Sequence, residues 1–287
     1  MALAATIKTW MDEAVQAVTA QLTFANQTVA SHRVLTVSGW HHSALRQPIA
    51  RYLVGLRVNA ITAALAVRCD LTDAPADVAE VWANVVSIVG PEENSLSKKQ
   101  ISTRRNPWIA EALWHLCMAV SQQRVELHPP GKVLAVTLPH VKTTDPGLDL
   151  AVLFHDGATH GLSVIETKAY ENDVGAAMVS CIGFFGQIDG GLHNPRLRQV
   201  VSMLRAELAD QAHISDGLWK NRRCYLPNVH YDNANPIDWA AERTDFAPLV
   251  PGPANIFVMP HAITGFSQFF TQIADQMRIE ARALSNV

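Results

Sequence analysis

The pattern of apolar and polar positions divides the chain into a helical first part and a mixed second part. Apolar residues recur at helical spacing over residues 47–67 and 74–89, which predicts two long helices. Residues 90–107 are polar and lack periodicity, so they predict a linker or a mobile loop. We therefore expect a mainly helical accessory region over residues 1–95 and a core over residues 96–287.

Strand and helix patterns follow one another in the second part. A helix is predicted over residues 106–120, with Asn106 as its N-cap and Pro107 in its first turn. Three short strands follow in KVLAVTLP, LDLAVLF and LSVIETK, and the Asp-Gly of HDGATHG predicts a hairpin between the last two. The remaining predicted elements are helices over 172–188, 194–212 and 265–284 and a strand over 254–260. This order indicates an α/β (α+β) fold, a mixed sheet flanked by helices.

Charged residues interrupt two of these apolar strands. Asp149 is flanked by leucines in LDLAVLF, and Glu166 and Lys168 share one face of LSVIETK because side chains alternate along a strand. If the hairpin pairs the strands, Asp149 comes close to Glu166, and burial of both carboxylates raises a pKa unless a cation lies between them. Oxygen ligands on two strands are typical of a Mg²⁺ site. Lys168 would then position the attacking water, help to deprotonate it, or stabilise charge on a reacting phosphate.

The same residues carry a resemblance to a known family. Asp149, followed 17 residues later by Glu166-Thr167-Lys168, resembles the motif of the PD-(D/E)xK nuclease superfamily. Glu111, in the preceding predicted helix, matches a glutamate that this family often carries there. The resemblance implies a restriction-endonuclease-like core in which Asp149, Glu166 and the Thr167 carbonyl bind metal. It also implies that Lys168 is the catalytic lysine and that Glu111 is an auxiliary ligand or orients this lysine.

The resemblance covers roughly residues 105–190, and the chain departs from the family pattern in two places. Pro146 precedes Asp149 by three residues instead of being adjacent to it. Some members place a glutamine and a tyrosine one helical turn apart after the lysine, whereas no tyrosine follows Gln187 at that spacing.

A function follows from the resemblance as an expectation: a DNA endonuclease that depends on Mg²⁺ or Mn²⁺. The outline of the chain resembles effector nucleases of prokaryotic antiphage defence, such as the Hachiman group, which implies a protein partner such as a helicase or ATPase. One alternative is a catalytically idle, nuclease-like binding or assembly subunit. Another is that Glu166 and Lys168 form only a salt bridge at the end of a strand, although this leaves Asp149 unexplained.

Basic residues cluster in two polar stretches and are candidates for contacts with DNA phosphates. The stretch 90–107 carries Lys98, Lys99, Arg104 and Arg105. LWKNRRCYLP combines Lys220, Arg222 and Arg223 with Trp219 and Tyr225, and such mixtures can hold phosphates and stack on bases. In both stretches a solvated loop without a ligand stays an equal alternative.

Composition and charge limit the remaining classes. The formal net charge of −3 excludes a globally basic nucleic-acid-binding protein, so anionic partners must meet local patches. Four cysteines without a CxxC pair predict buried free thiols and a reducing cytoplasm. No segment reaches the ~18 apolar residues of a membrane span, so we expect no membrane contact. The neighbours His41 and His42 would point apart on a strand, which favours a surface or turn role.

Overall fold

The computed structural model describes residues 2–69, 78–128, 130–140, 148–208, 214–215 and 217–284. The strands are β1 (Thr23–Thr28), β2 (Arg33–Ser38), β3 (Lys132–Val136), β4 (Leu150–His155), β5 (His160–Ala169), β6 (Arg223–Asp232) and β7 (Phe257–Ile263). The α-helices are α1 (Ala2–Gln21), α2 (Arg46–Cys69), α3 (Val78–Val89), α4 (Lys98–Gln100), α5 (Asn106–Val120), α6 (Val174–Asp189), α7 (Asn194–Ala206), α8 (Leu218–Asn221) and α9 (Phe266–Leu284). Within the described residues, the strands form one sheet in the order β1-β2-β7-β6-β5-β4-β3.

The sheet is mixed, as the sequence predicts. Its centre consists of β5, β6, β7 and β2, which all run in the same direction. The strands β3 and β4 extend it on one side and β1 on the other, each paired antiparallel to its neighbour. The predicted fold class, a mixed sheet flanked by helices, is therefore confirmed.

Helices cover both faces of the sheet, and alternate residues of a strand pack on opposite sides. In β4, Leu150 and Val152 belong to a large core with α1, α2, α3, α5 and α9, whereas Ala151 and Leu153 belong to a smaller core with α6 and α7. Burial on both faces explains why this strand is a continuous apolar run instead of an alternating one. Each large apolar side chain buried here contributes about 1.5–3 kcal/mol.

The first 95 residues belong to the same sheet and the same core as the rest of the chain. Val34 of β2 pairs in parallel with Val258 of β7, and α2 lies beside α9, where Arg51 donates a hydrogen bond of 2.9 Å to Glu280. A boundary near residue 95 thus does not separate two cores. The strand β1 is not indicated by the sequence pattern because only Phe24 among its residues is buried.

The stretch between residues 90 and 107 differs from the loop predicted from its polarity. Ser97 and Gln100 form a capping box that starts a helix, which continues through a π-helical turn over Ile101–Arg105 into α5. The prediction of Asn106 as N-cap is therefore wrong, because the helix begins well before it. The wide π turn lies directly before Pro107, whose ring would clash with a carbonyl in a regular helix interior.

Other predicted elements agree with the structure in position. The hairpin through residues 155–161 joins β4 and β5, and the helices near 172–188 and 265–284 correspond to α6 and α9. The predicted residues 74–77 and 209–212 of two other helices lie outside the described part of the chain. Most of β6 was not indicated by the sequence pattern.

Three cysteines are buried and free, as predicted: Cys117, Cys181 and Cys224. The side chain of Cys69 lies outside the described residues. Among the described helices, none combines the length and the apolar character that a membrane span requires.

A pair of buried histidines lies in the large core. His230 of β6 and His261 of β7 are fully buried, and their ring centroids are 4.3 Å apart. Within the part of the chain that the structure describes, their ring nitrogens have no hydrogen-bond partner. Burial lowers the pKa of His261 to about 3. Burial, with a contribution from His261, also lowers the pKa of His230 well below its usual value. Both rings are therefore neutral at physiological pH.

Replacing His261 with phenylalanine is expected to reduce the pH dependence of stability. In the unfolded chain this imidazole takes up a proton near pH 6.5, whereas in the folded protein it does so only near pH 3. Stability is therefore lost as the pH falls below 6.5, by about 1.5 kcal/mol per such histidine between pH 6.5 and 5. Urea unfolding at both pH values measures this difference for the wild type, for His261→Phe and for the exposed control His41→Phe. Equal pH slopes in the wild type and His261→Phe would contradict the prediction.

Candidate active site

The three charged residues singled out in the sequence meet at one end of the β4–β5 hairpin. Leu150 pairs with Ile165, and continuing this register by one residue places Asp149 opposite Glu166. The Thr167 N–H donates a hydrogen bond of 2.7 Å to Asp149 Oδ2, and Lys168 Nζ lies 2.5 Å from Glu166 Oε1. The predicted proximity of these side chains is therefore observed, and so is the salt bridge considered as an alternative.

Glu111 of α5 reaches the same place and is joined by His140. Glu111 Oε1 accepts a hydrogen bond of 3.2 Å from the His140 N–H and lies 3.3 Å from His140 Nδ1. Trp108 Nε1 donates to the His140 carbonyl at 3.1 Å, which holds this segment against α5. His140 was not identified from the sequence, although it directly follows the predicted strand KVLAVTLP.

Potential metal ligands are grouped differently from the prediction. Ligand atoms of Glu111, His140 and Asp149 all lie within 4.8 Å of one another, the only such group found among the described residues. Glu166, predicted as a ligand, stands outside this group, and its Oε1 is bound to Lys168. Of the predicted carboxylate ligands, the group contains Asp149 and the auxiliary Glu111.

The raised pKa values of these carboxyl groups show that their environment disfavours the ionised forms. Burial raises the pKa of Glu111 to about 7, although hydrogen bonds from His140 oppose the shift. Burial and the charge of Asp149 raise the pKa of Glu166 to about 8. Burial likewise raises the pKa of Asp149, against the charge of Lys168. Three carboxyl groups therefore surround a single ammonium, so the site retains protons or attracts a cation.

Lys168 keeps its charge in this environment. Burial alone would lower the pKa of its ammonium group, but Glu166 and Asp149 outweigh this effect and raise the pKa above its ordinary value. The side chain is therefore protonated at neutral pH, which favours positioning of a water molecule or stabilisation of phosphate charge over deprotonation of water by Lys168.

Several buried polar atoms at the site have no hydrogen-bond partner among the described residues. They are Glu166 Oε2, the Thr167 hydroxyl and His140 Nε2. An unpartnered buried polar atom costs about 1–3 kcal/mol, so these groups fit a site built for a ligand. Two carboxylates and an imidazole are a donor set suited to Mn²⁺ and other divalent metals, and the oxygens alone would suit Mg²⁺.

An open cleft of about 290 Å³ gives access to these groups. Lys168, Asp149 and Glu111 line one part of it, and Ser102 and Thr103 of the π turn line another. The segment predicted as a loop is thus a helical wall of the cleft. A phosphate group can enter here and reach Lys168.

The basic residues before α5 have different environments. Lys98 and Lys99 are exposed, and Arg104 is partly exposed. Arg105 is buried and donates hydrogen bonds to Asn106 and Thr271, so its predicted contact with phosphates is wrong. The helical segment that carries Ser102 and Thr103 also carries Lys98, Lys99 and Arg104. These three residues therefore stay candidates for contact with a polyanion.

The second basic stretch lies away from the cleft. Its residues Arg222 and Arg223 form ion pairs with Asp156 and Asp189, and Lys220 is exposed. Trp219 and Tyr225 are buried, so they cannot stack on bases as predicted. Leu162 of β5 pairs with Arg223, six residues before Lys168, and at about 3.3 Å per residue this stretch is ~20 Å from the site.

Comparisons with known proteins add no identification. No protein family matches the chain, and no curated protein matches it either. The resemblance to PD-(D/E)xK nucleases therefore rests on Asp149, Glu166, Lys168 and Glu111 and on the geometry that joins them.

Proposed function

We propose that this protein hydrolyses phosphodiester bonds in DNA with the help of a divalent metal ion. The observation that carries the proposal is the convergence of three carboxyl groups with raised pKa, two buried and one half-buried, with a protonated lysine beside one cleft, which Glu111, Asp149 and Lys168 line. A purely structural salt bridge between Glu166 and Lys168 requires neither Asp149 nor Glu111. Burial of these two further carboxyl groups favours a ligand-binding role.

A metal ion would be held by Glu111, His140 and Asp149, whose ligand atoms have suitable spacing. When bound, it would supply positive charge that polarises a phosphoryl oxygen and acidifies a water molecule. The Thr167 N–H donates a hydrogen bond to Asp149 Oδ2, which fixes the orientation of this carboxylate. Glu111 in turn orients His140 through the backbone N–H and the ring.

Lys168 would stabilise the negative charge that develops on the reacting phosphate. Its ammonium group is held in place by Glu166 Oε1, and Lys168 is among the residues that line the cleft. A charged donor that is already oriented in a poorly solvated site needs little reorganisation during the reaction. Glu166 then acts mainly by positioning Lys168, a role different from the metal ligation expected from the sequence.

The charges around the cleft support a polyanionic substrate. Lys98 and Lys99 extend from the segment whose Ser102 and Thr103 line the cleft. The exposed Arg196 of α7 lies close enough for its charge to act on His140. These cations lie on segments that border the cleft or act on His140, so they favour the approach of a phosphate backbone despite the net charge of −3. The protein partner and the role in antiphage defence stay predictions that rest on the resemblance alone.

Lys168→Ala is expected to lower the rate of plasmid DNA cleavage by about 10²–10³-fold, because it removes a transition-state contact. The rate is measured with Mg²⁺ and with Mn²⁺ against EDTA, and thermal melting checks that the variant folds. Lys132→Ala is the matched control, since Lys132 is an exposed lysine that pairs with His155 at the far end of the sheet. Cleavage at the wild-type rate by Lys168→Ala would overturn the proposal, and absence of cleavage by the wild type would favour an idle binding subunit.

Binding of Mn²⁺ is expected to strengthen between pH 6 and 8 and to release protons. The carboxyl group of Glu111, with a pKa near 7, holds a proton at pH 6 that metal binding displaces. Calorimetric titration in two buffers of different ionisation enthalpy measures both quantities on the intact chain.

Two variants test which residues bind the metal. His140→Ala should weaken Mn²⁺ binding more than Mg²⁺ binding, because imidazole nitrogen prefers transition metals. Asp156→Asn, which changes a carboxylate in the turn between β4 and β5, should leave both affinities unchanged. Equal Mn²⁺ affinity at pH 6 and 8, or in the wild type and His140→Ala, would contradict this metal site.

A further inference from the structure

A second pocket, of about 260 Å³, lies where β2 and β7 end. Its polar lining consists of His41, His42, Arg46, Thr264, Gln268 and Gln272. The rings of His41 and His42 are exposed, with centroids 4.5 Å apart. These adjacent histidines therefore do not point apart, as a strand would require, but line the same pocket.

The lining of this pocket is suited to an anion. Arg46 supplies a positive charge, and the histidine, glutamine and threonine side chains offer hydrogen-bond donors. No carboxylate is among the described residues that line it. Arg46 Nη2 donates to Gln272 Oε1 at 2.7 Å, which fixes the guanidinium at the pocket wall.

Two long helices begin at this pocket and add to its positive potential. Arg46 is the first residue of α2, and Gln268 lies in the first turn of α9. Arg46 of α2 contacts Gln272 of α9, and Arg51, further along α2, contacts Glu280, which is also further along α9. The two helices therefore run in the same direction. Their amino termini therefore point to the same end, where the helix dipoles favour negative charge.

The pocket and the catalytic cleft lie on one edge of the sheet. The cleft is at the carboxyl end of β5, and the pocket is at the carboxyl ends of β7 and β2, which are parallel to it. Two or three strand spacings separate them, about 10–14 Å. One nucleic-acid strand advances about 3.4 Å per nucleotide, so this distance corresponds to roughly three or four nucleotides.

We propose that this pocket binds a phosphate group of the substrate strand, a few nucleotides from the phosphate that is cleaved. The assignment of the phosphate to a substrate strand rests on the nuclease function proposed above, whereas binding of a phosphate-bearing anion rests on the pocket alone. Arg46 and the histidine pair contact the phosphate, and Gln268 and Thr264 donate further hydrogen bonds.

The first experiment measures pyrophosphate binding to the full chain in EDTA, by calorimetry and by shifts of the histidine ring signals in NMR spectra. We expect binding in the wild type and about tenfold weaker binding in His41→Asn/His42→Asn and in Arg46→Gln, since each loses charge-assisted hydrogen bonds. The double histidine variant leaves the Arg46–Gln272 contact intact, so it separates loss of binding from loss of local structure. Arg198→Gln, an exposed arginine on α7, is the control. Unchanged affinity in both pocket variants would overturn the inference.

The second experiment compares cleavage of single-stranded oligonucleotides of increasing length. For substrates long enough to reach the pocket, the pocket variants should raise KM by about tenfold and leave kcat unchanged, whereas the shortest substrates should show no difference. If pyrophosphate binding is weakened but KM is unchanged at every length, the pocket binds a free phosphate compound, and its role as a substrate subsite is wrong. If the wild type cleaves nothing while the pocket variants lose pyrophosphate binding, the anion site stands and the proposed nuclease function fails.

Discussion

Burial of like charges at the end of the β4–β5 hairpin is the constraint around which the rest of the site is arranged. Glu111, Asp149 and Glu166 approach one another with only Lys168 as a fixed positive charge. Such a cluster destabilises the folded chain at neutral pH unless protons or a cation neutralise it. The surrounding structure holds it nonetheless, through the Thr167 N–H and the large core beneath α5. A stability cost concentrated at one cleft is the usual signature of a functional site.

The direction of the strands determines where chemistry can take place. Four parallel strands end on the same edge of the sheet. The cleft at Lys168 and the pocket at Arg46 both open there. Because β2 belongs to the first 95 residues, the region expected to be accessory contributes one end of this edge. An extended polyanion lying along it would contact both halves of the chain.

The sequence and the structure agree most closely where local pattern decides the outcome. Side-chain alternation puts Glu166 and Lys168 on one face, and the Asp-Gly turn sets the hairpin that brings Asp149 opposite Glu166. No local pattern identifies His140, because its role depends on Glu111, which lies 29 residues earlier in the chain. Glu111 accepts a hydrogen bond from the His140 N–H. Similarly, His41 and His42 belong to no motif, and their pocket forms where α9 packs beside α2.

By itself, the sequence determined the class of the fold, the positions of most helices and of the hairpin, and the three charges at its end. Those features depend on periodicity and turn chemistry, which act over a few residues. Only the tertiary structure decided which charges are free to bind a ligand. Arg46, Arg105 and Arg223 have the same side chain. Long-range contacts bury Arg105 and pair Arg223 with Asp189, whereas Arg46 stays at a pocket wall. Burial and pairing are properties of distant segments brought together, so no local pattern contains them.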